Sequence, residues 1–267
     1  MYVDITSKNA LLEKEKDIAQ LFLDSFGKPL SADEWRYFWI DNPVGNPYVS
    51  LCYENEKLLG HFAVVPTLFS FRGEPFVAYR AMTTMVHPDG RGKGLFTELS
   101  KRVNAMLQAA GASMIYGFPN RNAAPGYIRY LGWTLLSPDK ACDFDGEEIL
   151  ESQLIQDALL ESADIEWNTT DSVQADWRYS MPGVRIEKNL GLVLKDYQGV
   201  MNILHVTREG LNSIKGGCKY RALIPSGCFD KLANKSSIFD YQFGFRIFNE
   251  KYKDANFRRE FVMSDVF

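Results

Sequence analysis

The stretch Met82 to Ala110, MTTMVHPDGRGKGLFTELSKRVNAMLQAA, decides how the chain reads. Met82 to Val86 is apolar and β-branched and predicts a strand. His87-Pro88-Asp89-Gly90 is turn material, because Pro fixes φ and Gly admits positive φ. After Arg91-Gly92-Lys93-Gly94, the residues Leu95, Leu99, Val103, Met106 and Ala110 recur every three or four positions, which predicts an amphipathic helix. The order is strand, glycine-rich turn, helix.

That order has a physical use. The first amides of a helix lack partners within it, and the macrodipole adds partial positive charge there. Glycines let a diphosphate approach the backbone, and Arg91 and Lys93 add charge, so the turn suits a phosphorylated cofactor. The Walker pattern fails for want of a closing Gly-Lys-Ser/Thr, and the dinucleotide G-x-G-x-x-G fails as well. An ordinary tight turn into a helix is the plain alternative.

Val86-x-Pro88-x-x-Arg91-Gly92-Lys93-Gly94-Leu95 resembles motif A of the GNAT acyltransferases, Arg/Gln-x-x-Gly-x-Gly/Ala. Arg91 and Gly94 stand on its first two marked positions, and Phe96 departs from the third. Asn120-Arg121-Asn122-Ala123-Ala124 and Leu131-Gly132-Trp133 resemble the same family's motif B. The resemblance implies an α/β GNAT fold, a mixed and mainly antiparallel sheet flanked by helices. It implies acetyl-CoA, or another short acyl-CoA, as co-substrate. Two neighbouring parallel strands would splay, here between Thr84-Met85-Val86 and Ile115-Tyr116-Gly117. Met85 and Val86 would then face the pantetheine, Arg91 to Phe96 the diphosphate, and Asn120 and Asn122 the cofactor from motif B.

Composition narrows the rest. The chain has 267 residues, 46% of them apolar, enough to bury a core. A net charge of -4 argues against nucleic acid as partner. No run is long and apolar enough to span a membrane, and the charged N-terminus lacks a signal peptide's apolar core. Cys52, Cys142, Cys218 and Cys228 show no metal or disulfide spacing, so a cytoplasmic protein with reduced thiols and no metal is expected.

Outside the central stretch, helices are expected over 17–26 and from a capping box at Ser31-Ala32-Asp33-Glu34. Strands are expected over 48–53, 58–65, 70–79 and 113–116, with a hairpin turn at 54–57 and another at 72–75. From Ala141 to Asp171 there are ten Asp or Glu and no Lys or Arg. Within it, residues 147–162 have helical spacing and read as a solvated connector, or as an acidic attraction for a cationic acceptor. Beyond it Trp177-Arg178-Tyr179 echoes Trp35-Arg36-Tyr37, with strands expected over 184–187, 190–195, 200–206, 221–224 and 255–262. The division expected is therefore 1–140 for an acyl-CoA domain, 141–164 for the connector, and 165–267 for a degenerate second GNAT-like half walling the acceptor. This tandem arrangement, with the Gly117-Phe118-Pro119-Asn120 run, Leu131-Gly132-Trp133 and the ending Ser264-Asp265-Val266-Phe267, resembles GNAT-type proteins of bacterial surface-polysaccharide loci. That resemblance implies an amino sugar, free or nucleotide-linked, as the acceptor amine. A cationic small molecule such as an aminoglycoside is the alternative, a non-catalytic acyl-CoA-binding module a third, and a homodimer stays open.

Candidates for the chemistry follow. Acyl transfer to an amine needs a held thioester, a neutral amine and a proton donor for the leaving thiolate. The family's usual Tyr position falls on Ile128, so Tyr127, with Tyr130 three residues on and on a shared face, is the candidate acid. His61 is the candidate base or else a buried structural His. His87 shapes the turn or touches the cofactor. Tyr79 and Arg80 would line the acceptor side, where Arg80 suits a phosphate or carboxylate. Trp177 would stack on the acceptor or sit in the core.

Overall fold

The computed structural model describes residues 1–182, 186–232 and 235–264. Strand β1 (Tyr2–Ile5) leads into helices α1 (Lys8–Leu12), α2 (Glu15–Phe26) and α3 (Ala32–Trp39). Ser31 Oγ accepts from the Glu34 amide at 3.3 Å, as the capping spacing predicts. An antiparallel meander follows: β2 (Tyr48–Glu54), β3 (Lys57–Phe71) and β4 (Glu74–Val86). Strand β3 runs on past Val65, where the expected strand ended, and β4 runs from Glu74 into Val86 after the turn expected at 72–75. Pro66 interrupts nothing because β2 has ended at the Tyr48–Val64 pair, so its missing N–H has no strand to serve on that side.

Next come α4 (Leu95–Ala109), β5 (Met114–Gly117), α5 (Ala124–Leu131) and β6 (Thr134–Leu135). The chain then forms β7 (Asp139–Asp145), α6 (Gly146–Glu151), α7 (Gln153–Leu159), β8 (Ile165–Trp167) and α8 (Ser172–Tyr179). It closes with β9 (Ile186–Asn189), β10 (Leu192–Tyr197), β11 (Val200–Val206), α9 (Arg208–Leu211), β12 (Lys219–Ile224), α10 (Ser226–Phe229), β13 (Phe239–Tyr241) and β14 (Gly244–Ile247). The architecture is α/β, with mixed sheets flanked by helices, as expected. Among the described residues no helix is long and apolar enough to cross a membrane.

The first sheet runs β1-β2-β3-β4-β5-β14-β6, with β8 beside β3; the second runs β13-β7-β12-β11-β10-β9. Each has one parallel step, β4 to β5 and β11 to β12, and antiparallel pairing elsewhere. Each also takes the strand next to that step from the far side of the chain, β14 beside β5 and β7 beside β12. Sheet membership thus crosses the boundaries expected at 140 and 165.

The connector expected as one solvated helix is two helices, broken where Ser152 Oγ accepts from the Ile155 amide. Ile149, Ile155 and Leu159 bury against the second sheet, so only the acidic face is solvated. The expected strand over 255–262 is irregular, ending in a short 3-10 turn at Phe261–Met263. Of the strand expected over 184–187, residues 184 and 185 lie outside the described residues, as do Asp265 to Phe267. The two echoed Trp-Arg-Tyr runs lie on α3 and α8, which meet directly. The Tyr37 and Trp177 rings stack at 4.9 Å, and Trp177 Nε1 donates to the Tyr37 carbonyl at 3.1 Å.

One irregularity shapes β4. Its register with β3 slips between His61 and Ala63, and Thr83 there adopts φ +52°. His61 is 1% exposed, edge-on to Trp39, with Nδ1 donating to the Thr83 carbonyl at 2.8 Å. Burial lowers its pKa to about 4. The unfolded chain takes up a proton near the ordinary value of 6.5, the folded chain only near 4, so stability falls as pH drops between them. Denaturant titration at pH 7 and pH 5 should show about 2 kcal/mol of loss that His61→Gln removes. An equal loss in wild type and variant would show that His61 is not held neutral.

Candidate active site

Pairing between β4 and β5 stops at Tyr79–Ile115 and Arg80–Tyr116. Residues 81–86 run on alone, while the chain beyond Gly117 turns through Phe118 and Pro119 toward α5. The opening is a cleft of about 920 Å3. Thr83 to Val86 form one wall, Gly117 to Asn120 with Tyr127 the other, and α2 and α3 close the far end.

The glycine turn sits at its near end. His87 Nδ1 accepts from the Asp89 amide at 3.0 Å, so this His shapes the turn. The Arg91 and Lys93 amides are spent within it, on the Pro88 and Gly90 carbonyls. Gly92 and Gly94 have φ +78° and +74°, the left-handed region that favours glycine. Gly94 is the N-cap of α4 and no side chain caps this helix. The first helical bond runs from the Glu98 amide to the Gly94 carbonyl, which leaves the Leu95, Phe96 and Thr97 amides as unpaired first-turn donors. They border a hollow of about 820 Å3 over residues 90–98. Arg91 lines both hollow and cleft, whereas Lys93 is drawn sideways to Glu54 at 2.8 Å.

Phe96, the departure from motif A, has a matching departure on α5. Its ring lies where a Cβ on Gly126 would come within 2.8 Å of it. The ring also meets Tyr127 edge-on at 5.2 Å. Tyr127 is 5% exposed and lines the cleft together with Thr84. Burial pushes its pKa up to about 12 despite Thr84, so at neutral pH it is a protonated donor. Pro125 falls in the first turn of α5 and shifts no register. Tyr130, expected on the same face, is exposed together with Ile128.

Of the remaining expected site residues, Met85, Val86 and Asn122 line the cleft with Tyr127. Asn120 does too, but its Oδ1 is occupied in accepting from the Asn122 and Ala123 amides, capping the turn into α5. His61 is absent from the lining, being locked on Thr83. Tyr79 packs edge-on against Tyr48 below the wedge. Arg80 is buried, with Nη1 3.4 Å from the Met263 carbonyl and its guanidinium over the Phe38 ring. Trp177 is spent on Tyr37. Among the described residues nothing beyond Trp133 lines the cleft.

Helices α2 and α3 also contribute to the cleft. Glu34 lines the cleft, and among the described residues its carboxylate makes no hydrogen bond. Lys195, on β10, lies near it: burial and Arg178 lower its pKa, and Glu34 opposes that shift. No local pattern marks either residue, because α3 meets the second half only through tertiary packing.

The second sheet has its own break, since β11 and β12 pair only at Met201–Tyr220 and Asn202–Arg221. That wedge is filled. Arg258 donates to the Val206 and Leu159 carbonyls, and Glu260 lies 2.8 Å from His205. About 20 Å3 remains there.

Residues 7–136 match the family model described as an acetyltransferase (GNAT) domain. A conserved Enterococcus faecalis protein of unknown function is similar over 92% of this chain and 73% of its own, with TM-score 0.62 and 14% identity. A GCN5-related N-acetyltransferase from Kribbella flavida is similar over 92% and 72%, with TM-score 0.61 and 14% identity. One from Anabaena variabilis is similar over 93% and 73%, with TM-score 0.59 and 12% identity. No curated protein matches the chain in sequence. At such identities the likeness is one of fold. Residues 7–136, just under half of the chain, match that model, and the solved structures share the α/β GNAT fold.

The Phe96–Gly126 fit is testable. Gly126→Ala should cost about 1–3 kcal/mol by overpacking. In a double-mutant cycle with Phe96→Ala, measured by denaturant unfolding, much of that cost should disappear. Additive losses would show that the ring does not occupy the space above Gly126.

Proposed function

We propose that this protein is an acyl-CoA-dependent N-acyltransferase that moves an acetyl or other short acyl group to a primary amine. The observation that supports it best is the junction of an opened strand pair with a row of unpaired helix-start amides. Those amides, from Leu95 to Thr97, suit the diphosphate of coenzyme A, with Gly92 leaving room for its approach and Arg91 adding charge. The pantetheine would lie along 81–86, whose backbone groups have lost their β5 partners. Met85 and Val86 would flank the thioester.

The chemistry then balances simply. The amine lone pair forms the N–C bond at the thioester carbonyl, and the C–S bond breaks. Tyr127 gives its proton to the leaving sulfur, the amine's surplus proton passes to water, and solvent restores the tyrosine. At neutral pH the hydroxyl is protonated and so available as the donor.

The expected amino-sugar acceptor keeps only its family resemblance as support. Arg80, on which an acidic acceptor group depended, is buried away from the cleft. The acidic stretch that favoured an aminoglycoside lies over the second sheet, and among the described residues none of it lines the cleft.

Calorimetry should show acetyl-CoA binding, and a thiol-release assay over a panel of amines should show turnover. Tyr127→Phe should lower kcat about 100-fold and leave acetyl-CoA affinity unchanged. Equal rates would remove Tyr127 from the mechanism. Binding without turnover of any amine would favour a non-catalytic acyl-CoA module.

A further inference from the structure

The far end of the cleft is left unused by the cofactor, and its wall describes an acceptor. Resting on the acyltransferase reading above, we infer that the acceptor is a primary amine on an apolar, ring-bearing body, an arylalkylamine in chemical class. It would sit between α2, α3 and the β4 edge.

Phe22, Phe26, Leu30, Trp35, Phe38 and Trp39 supply this wall, and Met82 faces it from β4. Trp35, Phe38 and Trp39 are deeply buried, whereas Phe26 is 51% exposed at the mouth. Such a surface suits a flat ring, which gains offset and edge contacts beyond the area it buries. It suits a sugar poorly. Each buried sugar hydroxyl needs its own partner, and the polar side chains that α2, α3 and their connection bring to the lining are Ser25, Lys28 and Glu34.

Charge narrows the class further. Glu34 is the one carboxylate lining the cleft among the described residues, and it draws a single ammonium to the mouth. Lys28 stands in the same lining, and Lys195 is close enough to Glu34 for its charge to be felt. A polycation would meet these two amines with only one carboxylate to offset them. A monoamine sets a single charge against them, which the one carboxylate can offset.

The test is thiol-release kinetics at saturating acetyl-CoA with tryptamine, phenethylamine, glucosamine and kanamycin. The two aryl amines should show kcat/KM at least about tenfold above the sugars. Phe26→Ser, at an exposed position, should raise KM for tryptamine about fivefold or more while acetyl-CoA affinity by calorimetry stays unchanged. Glu34→Gln should raise KM for both aryl amines. Preference for glucosamine or kanamycin overturns the inference and leaves the acyltransferase reading standing. So does an unaltered tryptamine KM in a folded Phe26→Ser. Absence of acetyl-CoA binding overturns both.

Discussion

Strand β4 outruns its parallel neighbour by residues 81–86, and the remaining structure serves to keep that gap open. A gap between parallel strands closes by default, since unpaired backbone groups seek partners. Here β5 is held from its other edge, where β14 pairs with it from Met114 through Gly117. On the opposite side β4 is tied to β3, with the His61–Thr83 contact fixing the slip in register between them. Helices α4 and α5 then frame the opening, one presenting its unpaired amides and the other Tyr127.

The second half shows what happens when the gap is not kept. It repeats the meander, the parallel step and the early loss of pairing, but α9 is a single turn without a glycine-rich approach. Residues 258–260 lie in the wedge and satisfy its carbonyls. What this half gives the first is strands and packing: β14 and β8 in the sheet, and Trp177 against Tyr37. Its carboxylate at Glu260, held low by His205 and Arg258 despite burial, is part of that filling.

Much of the arrangement was legible locally. The turn from His87 to Gly94, the α4 stripe, the Ser31 cap and the Gly132 end of α5 each follow from residues close in sequence. What was not legible depends on distance. Phe96 looked like a flaw in the motif because its complement, Gly126, lies on another helix. His61 and Arg80 looked available because alternation along a strand says which face a side chain takes, not what covers that face. Trp39 covers one and Phe38 with Met263 the other. The spacing of the α2 and α3 aromatics gives helices and no site, and only the opened strands turn part of their surface into a wall.

The most direct measurement is backbone amide chemical-shift mapping by NMR as acetyl-CoA is added. Binding at the helix start requires the largest shifts at Gly92, at Gly94 to Thr97 and along Met85 and Val86, with residues 203–206 and 222–224 of the second wedge unmoved. Shifts confined to the second half, or none at saturating acetyl-CoA, would contradict a cofactor groove between β4 and β5.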